Sequence, residues 1–482
     1  MTSVEIEKKL SELFEKWSGK KPDLVLPLAP SASPRIYYRL AKGDTSAIGT
    51  YNLDKKENHA FLTFSRHFHK CGLPVPEIYS EDPENYVYLQ EDLGATTLYS
   101  YLLKENNDFP DYLVEIYKRV VEKLAQLQVT GGRGLDYTAC YPRSEFDKQS
   151  MLWDFNTFKY YFVKLAGIPF DEQQLETDMH NFAEYLLGAG AEHFMFRDFQ
   201  ARNIMIRNGQ PFFIDYQGGR KGAPQYDLAS LLFQAKANMP VRIKKELLQH
   251  YMDKLEQLTK IDRQKFEEYF YGYALMRCIQ TFGTYGFRGI FEKKEYFIKS
   301  IPYALNNAKW ILENAAPPID LPELYRVLKE LISSKKFAPF DKSKASGNLL
   351  TVNIQSFSFK RGIPKDDSGH GGGFVFDVRF IHNPGRYEPY KKMTGRDEPV
   401  INFLKHHSCL EDFLNNVFLI VDPAIENYLE RSFTNLSVSF GCTGGQHRSV
   451  YAADRLARHI EEKYGVKVVL KHLEQEMKGW KN

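Results

Sequence analysis

The chain has 482 residues, too long for one ordinary core, so two or three domains are expected. Hydrophobic residues make up 43% and aromatics 14%, which excludes extensive disorder; a net charge of +3 removes the electrostatic case for a dedicated nucleic-acid binder but not for a local basic patch. The five scattered cysteines lack CxxC spacing, the charged N-terminus lacks a signal core, and no run of about 18 apolar residues occurs, so a cytoplasmic protein without disulfides, zinc site or membrane span is expected.

Residues 3–18 carry Leu10, Leu13, Phe14 and Trp17 at helical spacing. Ile36–Leu40 and Ala47–Tyr51 look like paired strands. Glu57–Cys71 reads as a helix, ended by Gly72 and by Pro74 and Pro76. Tyr86–Gln90 is a short strand leading into Glu91-Asp92-Leu93-Gly94. Strand, strand, helix, strand and hinge form the order of a small nucleotide-binding lobe. Helical spacing then runs from Leu98 to about Leu127 and through most of Phe155–Leu187. Residues 194–217 alternate short strands and loops. Tyr226–Leu258, Phe266–Leu312 and the short amphipathic Leu321–Ile332 are again helical.

The polar, lysine- and serine-rich stretch 333–348, with Pro339, has the texture of a boundary. It predicts a first domain over 1–335, with a small lobe at about 20–92 and a large lobe at 93–335. A linker at 336–348 and a second domain over 349–482 follow. In the second domain, Leu349–Phe359 and Phe374–Phe380 read as strands around a turn with Gly369, Gly371, Gly372 and Gly373. A helix fits Val400–His407, a strand Ser432–Phe440, a helix Arg448–Tyr464 and a closing strand Lys467–His472. Strand alternating with helix predicts a small α/β domain.

The most informative spacing is Phe196-Arg-Asp-Phe-Gln-Ala-Arg-Asn. Asp198 stands five residues before Asn203, and Asp215 follows at the end of the apolar run Pro-Phe-Phe-Ile. ATP-dependent kinases need one carboxylate to take the proton of the attacking hydroxyl, and an amide and a second carboxylate to hold Mg²⁺ on the phosphates. A lone D-x4-N arises by chance. Here Arg197 precedes Asp198, Asp215 ends a strand, and Asp227 opens a helix where it can brace the catalytic loop. Asp198 is therefore the candidate base, and Asn203 and Asp215 are the candidate metal ligands.

With these motifs in place, residues 20–315 resemble the aminoglycoside/choline phosphotransferase superfamily. The runs Arg-Asp-Phe-Gln-Ala-Arg-Asn-Ile-Met, Ile-Asp-Tyr-Gln-Gly-Gly and Tyr-Asp-Leu-Ala-Ser-Leu-Leu, with Glu91-Asp92-Leu93-Gly94 and Gly72-Leu-Pro-Val-Pro-Glu, are most similar to the anomeric kinases for N-acetylmuramate and N-acetylglucosamine. The resemblance implies an α+β, two-lobed, protein-kinase-like fold, ATP and Mg²⁺ as cofactors, and a sugar acceptor phosphorylated at its anomeric hydroxyl. Backbone at Glu91 and Leu93 would meet adenine. Two departures stand out: Phe196 replaces the usual His, and Ala47-Ile-Gly-Thr-Tyr contains no phosphate-binding lysine. Pro30-Ser-Ala-Ser-Pro, with Ser31 and Ser33, is the candidate phosphate cradle in its stead. Glu57 at the start of its helix would orient a cation, unless it is only a solvated first-turn acid.

A second constellation follows the strand at 432–440: Phe440-Gly-Cys-Thr-Gly-Gly-Gln-His-Arg-Ser. Strand, glycine-rich loop and helix N-terminus make an anion site from Cys442, Thr443, Gly444, Gly445, His447, Arg448 and Ser449. A ligand-free strand-to-helix turn is the plainer reading. Cys442 and Arg448 also have the C-x5-R spacing of cysteine phosphatases, with Asp377 or Asp397 as acid, although Gly441 replaces the usual His. Residues 349–482 are more similar to the C-terminal domain of the RNase adapter RapZ, through Ser-Phe-Ser-Phe-Lys-Arg-Gly-Ile-Pro, Phe-Asp-Val-Arg-Phe-Ile-His-Asn-Pro, Met-Thr-Gly-Arg-Asp-Glu-Pro-Val and the anion loop. That resemblance implies a sugar phosphate or nucleotide sugar as ligand. RNA is the lesser alternative, because residues 351–482 hold 18 Lys and Arg against 16 Asp and Glu. The expected protein is a sugar kinase fused to a sugar-phosphate sensor. An RNA-binding adapter with an inert kinase fold and a Cys442 phosphatase are the competitors.

Overall fold

In a computed structural model, residues 1–28, 34–105, 108–337, 350–365, 373–431 and 433–479 are described. Two compact units divide them: Met1–Phe291 with Lys299–Phe337, and Glu292–Ile298 with the residues from Leu350 onward.

In the first unit, helix Ser3–Ser18 starts at a reciprocal cap. Thr2 accepts the Glu5 amide, and the Glu5 carboxylate takes the Thr2 amide at 2.7 Å. Its buried face, Ile6, Leu10, Leu13 and Phe14, packs with Leu40, Ala47 and Leu89 of a sheet. That sheet has five antiparallel strands, β1 (Leu24–Pro27), β2 (Ile36–Lys42), β3 (Thr45–Tyr51), β4 (Ile78–Asp82) and β5 (Val87–Glu91), in the order β1-β2-β3-β5-β4. The helix lies so close to β3 that a Cβ on Gly49 would stand 2.8 Å from Leu10 Cδ2. Helix Lys55–Lys70 is capped by Asp54, which accepts the Lys56 and Glu57 amides, and buries Phe61, Phe64 and Phe68. The expected strands and helices of this lobe are present; β1 and β4 were not anticipated. Both are four or five residues long and show no buried-exposed alternation, so neither carries a period-2 signal.

The helical part contains Leu98–Lys104, Asp111–Val129, Lys148–Phe158, Glu172–Leu187, Gln225–Leu232, Val241–Glu256, Arg263–Tyr285, Ile301–Asn314 and Pro322–Ser333. The single helical run expected over 98–127 is two helices, because Pro110 lies at the start of the second, where its missing N–H costs nothing. Between these helices stand two short antiparallel strand pairs: β6 (His193–Met195) pairs with β9 (Arg220–Gly222), and the hairpin β7 (Ile204–Arg207)–β8 (Gln210–Phe213) lies between them in the chain. Phe196, Phe199, Phe213 and Tyr216 pack edge to face beneath them and fix the loops that leave their ends. Phe337 stacks on Phe162 at 5.3 Å, so packing in this unit continues to that residue. Most of the stretch expected as linker, 338–348, lies outside the described residues.

The second unit holds a wholly parallel sheet of β10 (Thr351–Ser358), β11 (Gly373–Asp377), β12 (Asn435–Cys442) and β13 (Lys467–His472), ordered β11-β12-β10-β13. Val352, Ile354, Val438 and Phe440 bury its faces against helices Glu398–His406, Leu410–Glu430 and Arg448–Tyr464. Three of the four glycines expected in the turn before β11 are outside the described residues; Gly373 opens the strand. No described helix is long and apolar enough to cross a membrane.

Candidate functional site

The loop between β6 and β7 closes on itself. Asn203 ends a short turn, Ala201–Asn203, and its Nδ2 donates to the Asp198 carbonyl at 2.9 Å. The five-residue spacing is thus the span of one hydrogen-bonded loop. The Asp198 carboxylate is half exposed and faces helix Arg263–Tyr285, from which Arg277 Nη2 reaches Oδ1 at 3.3 Å; Gln200 Nε2 donates to the same oxygen. Asp215 follows β8 with φ +70°, and Arg197 has φ +80°. Left-handed backbone at two non-glycine residues costs about 1 kcal/mol each, and it falls at the two turns that aim the acidic side chains. Burial raises the Asp215 pKa and Asp198 adds to the rise; the Arg35 guanidinium and the Gln217 amide oppose both.

Asp227 braces this loop from beneath. Fully buried at the start of helix Gln225–Leu232, it accepts the amides of Phe196 at 2.7 Å and Arg197 at 2.9 Å, and Gln128 Nε2 at 2.9 Å. Burial pushes its carboxyl up to about 6 from the usual 3.8, against those three bonds. A folded carboxyl that holds its proton more tightly than the unfolded one makes stability fall as pH rises between the two values. The Asp227 contribution should therefore decline from about pH 4 to about pH 6, by at most roughly 3 kcal/mol. Urea midpoints of the wild type minus those of Asp227→Asn should trace that slope; a flat difference would remove Asp227 as its source.

Two residues absent from the sequence reading join the site. Arg277 is one, invisible because a buried arginine in the middle of a long helix carries no motif. The other is Arg35, just before β2. Its Nη2 lies 2.8 Å from Glu57 Oε1, and its Nη1 lies 2.8 Å from Asp215 Oδ1. Glu57 therefore does face a cation. Glu91 ends β5 and pairs with Arg207 at 2.7 Å; Leu93 is buried just beyond, next to Asp92, which Arg39 clamps at 2.7 and 3.0 Å. Ser31 and Ser33 lie outside the described residues.

In the second unit, β12 delivers Cys442 to a loop whose shape is set by hydrogen bonds. Cys442 Sγ accepts the Gly445 amide at 3.1 Å and lies 3.2 Å from Ser449 Oγ, and Ser358 Oγ donates to the Thr443 carbonyl at 2.8 Å. Gly445 has φ +65°, and a Cβ there would stand 2.3 Å from Glu474 Cγ and 3.1 Å from the Ser358 nitrogen, so glycine is required. His447 Nε2 pairs with the Tyr390 carbonyl at 2.9 Å. Arg448 opens helix Arg448–Tyr464 and is 3% exposed. Its Nη1 donates to the carbonyls of Arg379 and Ile381, each at 2.7 Å, while its Nε is buried with no partner among the described residues. Thr443 and Gly444 are exposed at the loop tip. Both acids considered for C-x5-R chemistry are already engaged. Asp377 is held by Arg379 Nη2 at 2.6 Å, which lowers its pKa, and Asp397 accepts the Thr394 amide at 2.6 Å.

A five-stranded antiparallel sheet with two capped helices, a helical lobe, and turns that bring Asp198, Asn203 and Asp215 together define a two-lobed, protein-kinase-like phosphotransferase fold. Residues 25–269 match the model of the phosphotransferase enzyme family, and the chain belongs to that family. Residues 350–476 match the RapZ C-terminal domain. Among solved structures, an amicoumacin kinase in complex with AMP-PNP, Ca²⁺ and Ami superposes with a TM-score of 0.48 at 11% identity, covering 67% of this chain and 97% of that one. A choline kinase from Cryptosporidium parvum Iowa II superposes at 0.47 and 11%, covering 68% and 100%. Among curated relatives, a nucleotide-binding protein of Ruminiclostridium cellulolyticum is 40% identical over 130 residues, 27% of this chain and 43% of that protein. One of Glaesserella parasuis serovar 5 is 36% identical over 150 residues, 31% and 47%. The chain thus spans less than half the length of these curated relatives.

Proposed function

We propose that the first unit is an ATP-dependent, Mg²⁺-requiring kinase for a sugar hydroxyl. Its acceptor is an amino sugar such as N-acetylmuramate or N-acetylglucosamine, at the anomeric position. The observation that carries the reaction type is the loop in which Asn203 holds the Asp198 carbonyl while Asp215 meets the same site. The sugar rests on the sequence resemblance and on the accompanying RapZ-like domain.

The residues present fit a magnesium nucleotide. No group of three or more His, Cys, Asp or Glu among the described residues could hold a metal unaided. Hard oxygens from one amide and one carboxylate suit Mg²⁺, which takes its remaining ligands from water and phosphates. Asn203 spends Nδ2 on the loop, which leaves Oδ1 for the metal. Arg35 and Gln217 both bond Asp215 Oδ1, which leaves Oδ2. Bound there, the ion would neutralise charge on the transferring phosphates.

Asp198 would accept a hydrogen bond from the acceptor hydroxyl and take its proton as the new O–P bond forms and the bond to ADP breaks. Arg277 and Gln200 hold that carboxylate in place. Asp227 fixes the backbone on which Asp198 rides. An ATP-consumption panel over N-acetylmuramate, N-acetylglucosamine, other hexoses, an aminoglycoside and choline, with the product's phosphate position read by NMR, tests the reading. Turnover of an amino sugar to its 1-phosphate is expected. Turnover of choline or the aminoglycoside alone would replace the acceptor, and no turnover at all would leave an inert kinase fold.

The second unit, on this reading, binds a sugar phosphate or nucleotide sugar at Cys442–Ser449 and senses the product side of the first. "Nucleotide-binding" relatives and a loop of exposed amides ahead of a buried, partly unpartnered guanidinium support this. A phosphate-releasing role for Cys442 has one observation in its favour, the two hydrogen bonds that would hold a thiolate. It lacks an acid, since Asp377 and Asp397 are committed elsewhere.

A further inference from the structure

Three arginines of the large lobe gather around Tyr226, beside the two acidic turns, and only two of them meet a carboxylate. Arg197 grips Asp154 through Nη2, at 2.9 and 2.8 Å, and stands 5.2 Å over the Tyr226 ring. Arg277 stands 5.9 Å over the same ring and reaches Asp198 at 3.3 Å. The third, Arg220, opens β9 opposite Met195 of β6, and Asp198 follows Met195 by three residues. Arg220 is 7% exposed. Its Nε and Nη2 both donate to the Gly218 carbonyl, at 3.1 and 3.0 Å, and among the described residues it pairs with no carboxylate.

A guanidinium buried without a counter-charge is costly, and one carbonyl offsets only part of that cost. Its neighbour adds to it. Burial first, then Arg197, pulls the Arg220 pKa down to about 10, and Tyr226, Cys140 and Asp154 offset this only in part. A neutral amide could cap the turn at Gly218 without carrying a charge into the lobe, so the charge calls for a further partner. The surroundings leave room for one. A Cβ on Gly219 would stand 2.2 Å from the Phe194 ring, whereas one on Gly218 would meet nothing within 4 Å. Gly218 is half-buried and follows Asp215 by three residues, and between them Gln217 Nε2 donates to Asp215 Oδ1 at 2.8 Å. Open space thus adjoins the residue whose carbonyl the guanidinium holds. It lies next to Asp215, and Arg220 itself belongs to the strand pair that leads into Asp198, the carboxylate assigned to the acceptor. A planar fork with an uncommitted Nη1 matches the oxygens of a carboxylate or phosphate, and it repels a cation.

We propose that Arg220 binds a negatively charged group, carboxylate or phosphate, on the acceptor, and so selects anionic acceptors over neutral and cationic ones. The inference rests on the phosphotransferase reading above. Steady-state kinetics of the full chain tests it with three acceptors: N-acetylglucosamine, N-acetylmuramate, which adds a carboxylate, and N-acetylglucosamine 6-phosphate, which adds a phosphate. In the wild type, kcat/KM for at least one anionic sugar should exceed that for N-acetylglucosamine by roughly tenfold or more. Arg220→Gln should bring that ratio near one, with Arg220→Lys between, while AMP-PNP affinity stays at the wild-type value. Because the ratio is taken within each variant, a general loss of folding or turnover cancels; should Arg220→Gln fail to fold in ligand-free thermal unfolding, Arg220→Lys carries the comparison. A wild-type ratio of one or less, or a ratio unchanged in the folded variants, overturns the assignment. So does a loss of AMP-PNP affinity, which would move the guanidinium to the nucleotide. Absence of turnover with every sugar overturns the kinase reading instead. Calorimetric binding of the same three sugars in the presence of AMP-PNP then decides Arg220 by the same ratio, and binding of none overturns both.

Discussion

Asp198→Ala should lower turnover by ~10²–10⁴-fold while nucleotide affinity stays near the wild-type value. The side chain is half exposed and its one ion pair, to the buried Arg277, is long at 3.3 Å, so its removal costs the fold little. The loop is held by other groups, Asn203 through the Asp198 carbonyl and Asp227 through the amides of Phe196 and Arg197. Asp198→Asn sharpens the test, because an amide keeps the shape but cannot take a proton. Arg277→Gln should cost less, roughly tenfold, because it positions the carboxylate without accepting anything from the acceptor. Steady-state kinetics with calorimetric nucleotide titration checks all three. If Asp198→Asn retained more than about a tenth of turnover, a hydroxyl-activating role would be untenable.

What the sequence made legible about this site was whatever lay within one loop. Asp198 and Asn203 announce themselves because the hydrogen bond joining them spans five residues, and Asp215 because a short apolar strand precedes it. Asp227 was legible as a helix-start acid, although its targets, the amides 30 and 31 residues earlier, were not. Arg35 and Arg277 were illegible for the opposite reason. Their partners stand 180 and 79 residues away, and only the sheet register and the helix crossing bring them together. The absent lysine therefore reads as a defect in one dimension, while in three its neighbourhood holds a guanidinium.

The same division applies to the fold. Helices with a clean apolar stripe, such as Pro322–Ser333, were recovered almost to the residue, while strands such as Gly373–Asp377 and Asn435–Cys442 were found with their ends displaced along the chain. Helix Leu410–Glu430 was missed, although its 21 residues make it one of the longest in the chain. Pro423 lies within it, and a proline in a helical pattern normally signals a break because it removes a hydrogen bond and crowds the preceding turn. Here the apolar residues on both sides, Leu414, Val417, Val421 and Ile425, are all buried in one core, and that burial outweighs the local cost.

Arg448→Ala should abolish anion binding at the second unit and lower its stability by about 3 kcal/mol. The guanidinium bridges the carbonyls of Arg379 and Ile381, so truncation strands two buried acceptors at once. Burial, first of all, pulls its pKa below the ordinary value, with Cys442 and Asp377 opposing and Arg386 adding to the fall. A buried cation with an unpartnered Nε gains from any anion that reaches the loop tip at Thr443 and Gly444. Hexosamine phosphate should therefore raise the unfolding temperature of the wild type. Thr443→Ala separates binding from folding, because the hydroxyl is exposed at the loop tip and the bond from Ser358 goes to the Thr443 carbonyl, which alanine keeps. That variant should fold as the wild type does and lose roughly five- to tenfold in ligand affinity, the worth of about one hydrogen bond. Cys442→Ser should change affinity little, because serine can accept the Gly445 amide as the sulfur does. A thiol-dependent release of phosphate that disappears in Cys442→Ser would instead install the C-x5-R hydrolase, and salt-sensitive RNA binding undisturbed by Arg448→Lys would move the ligand away from this loop.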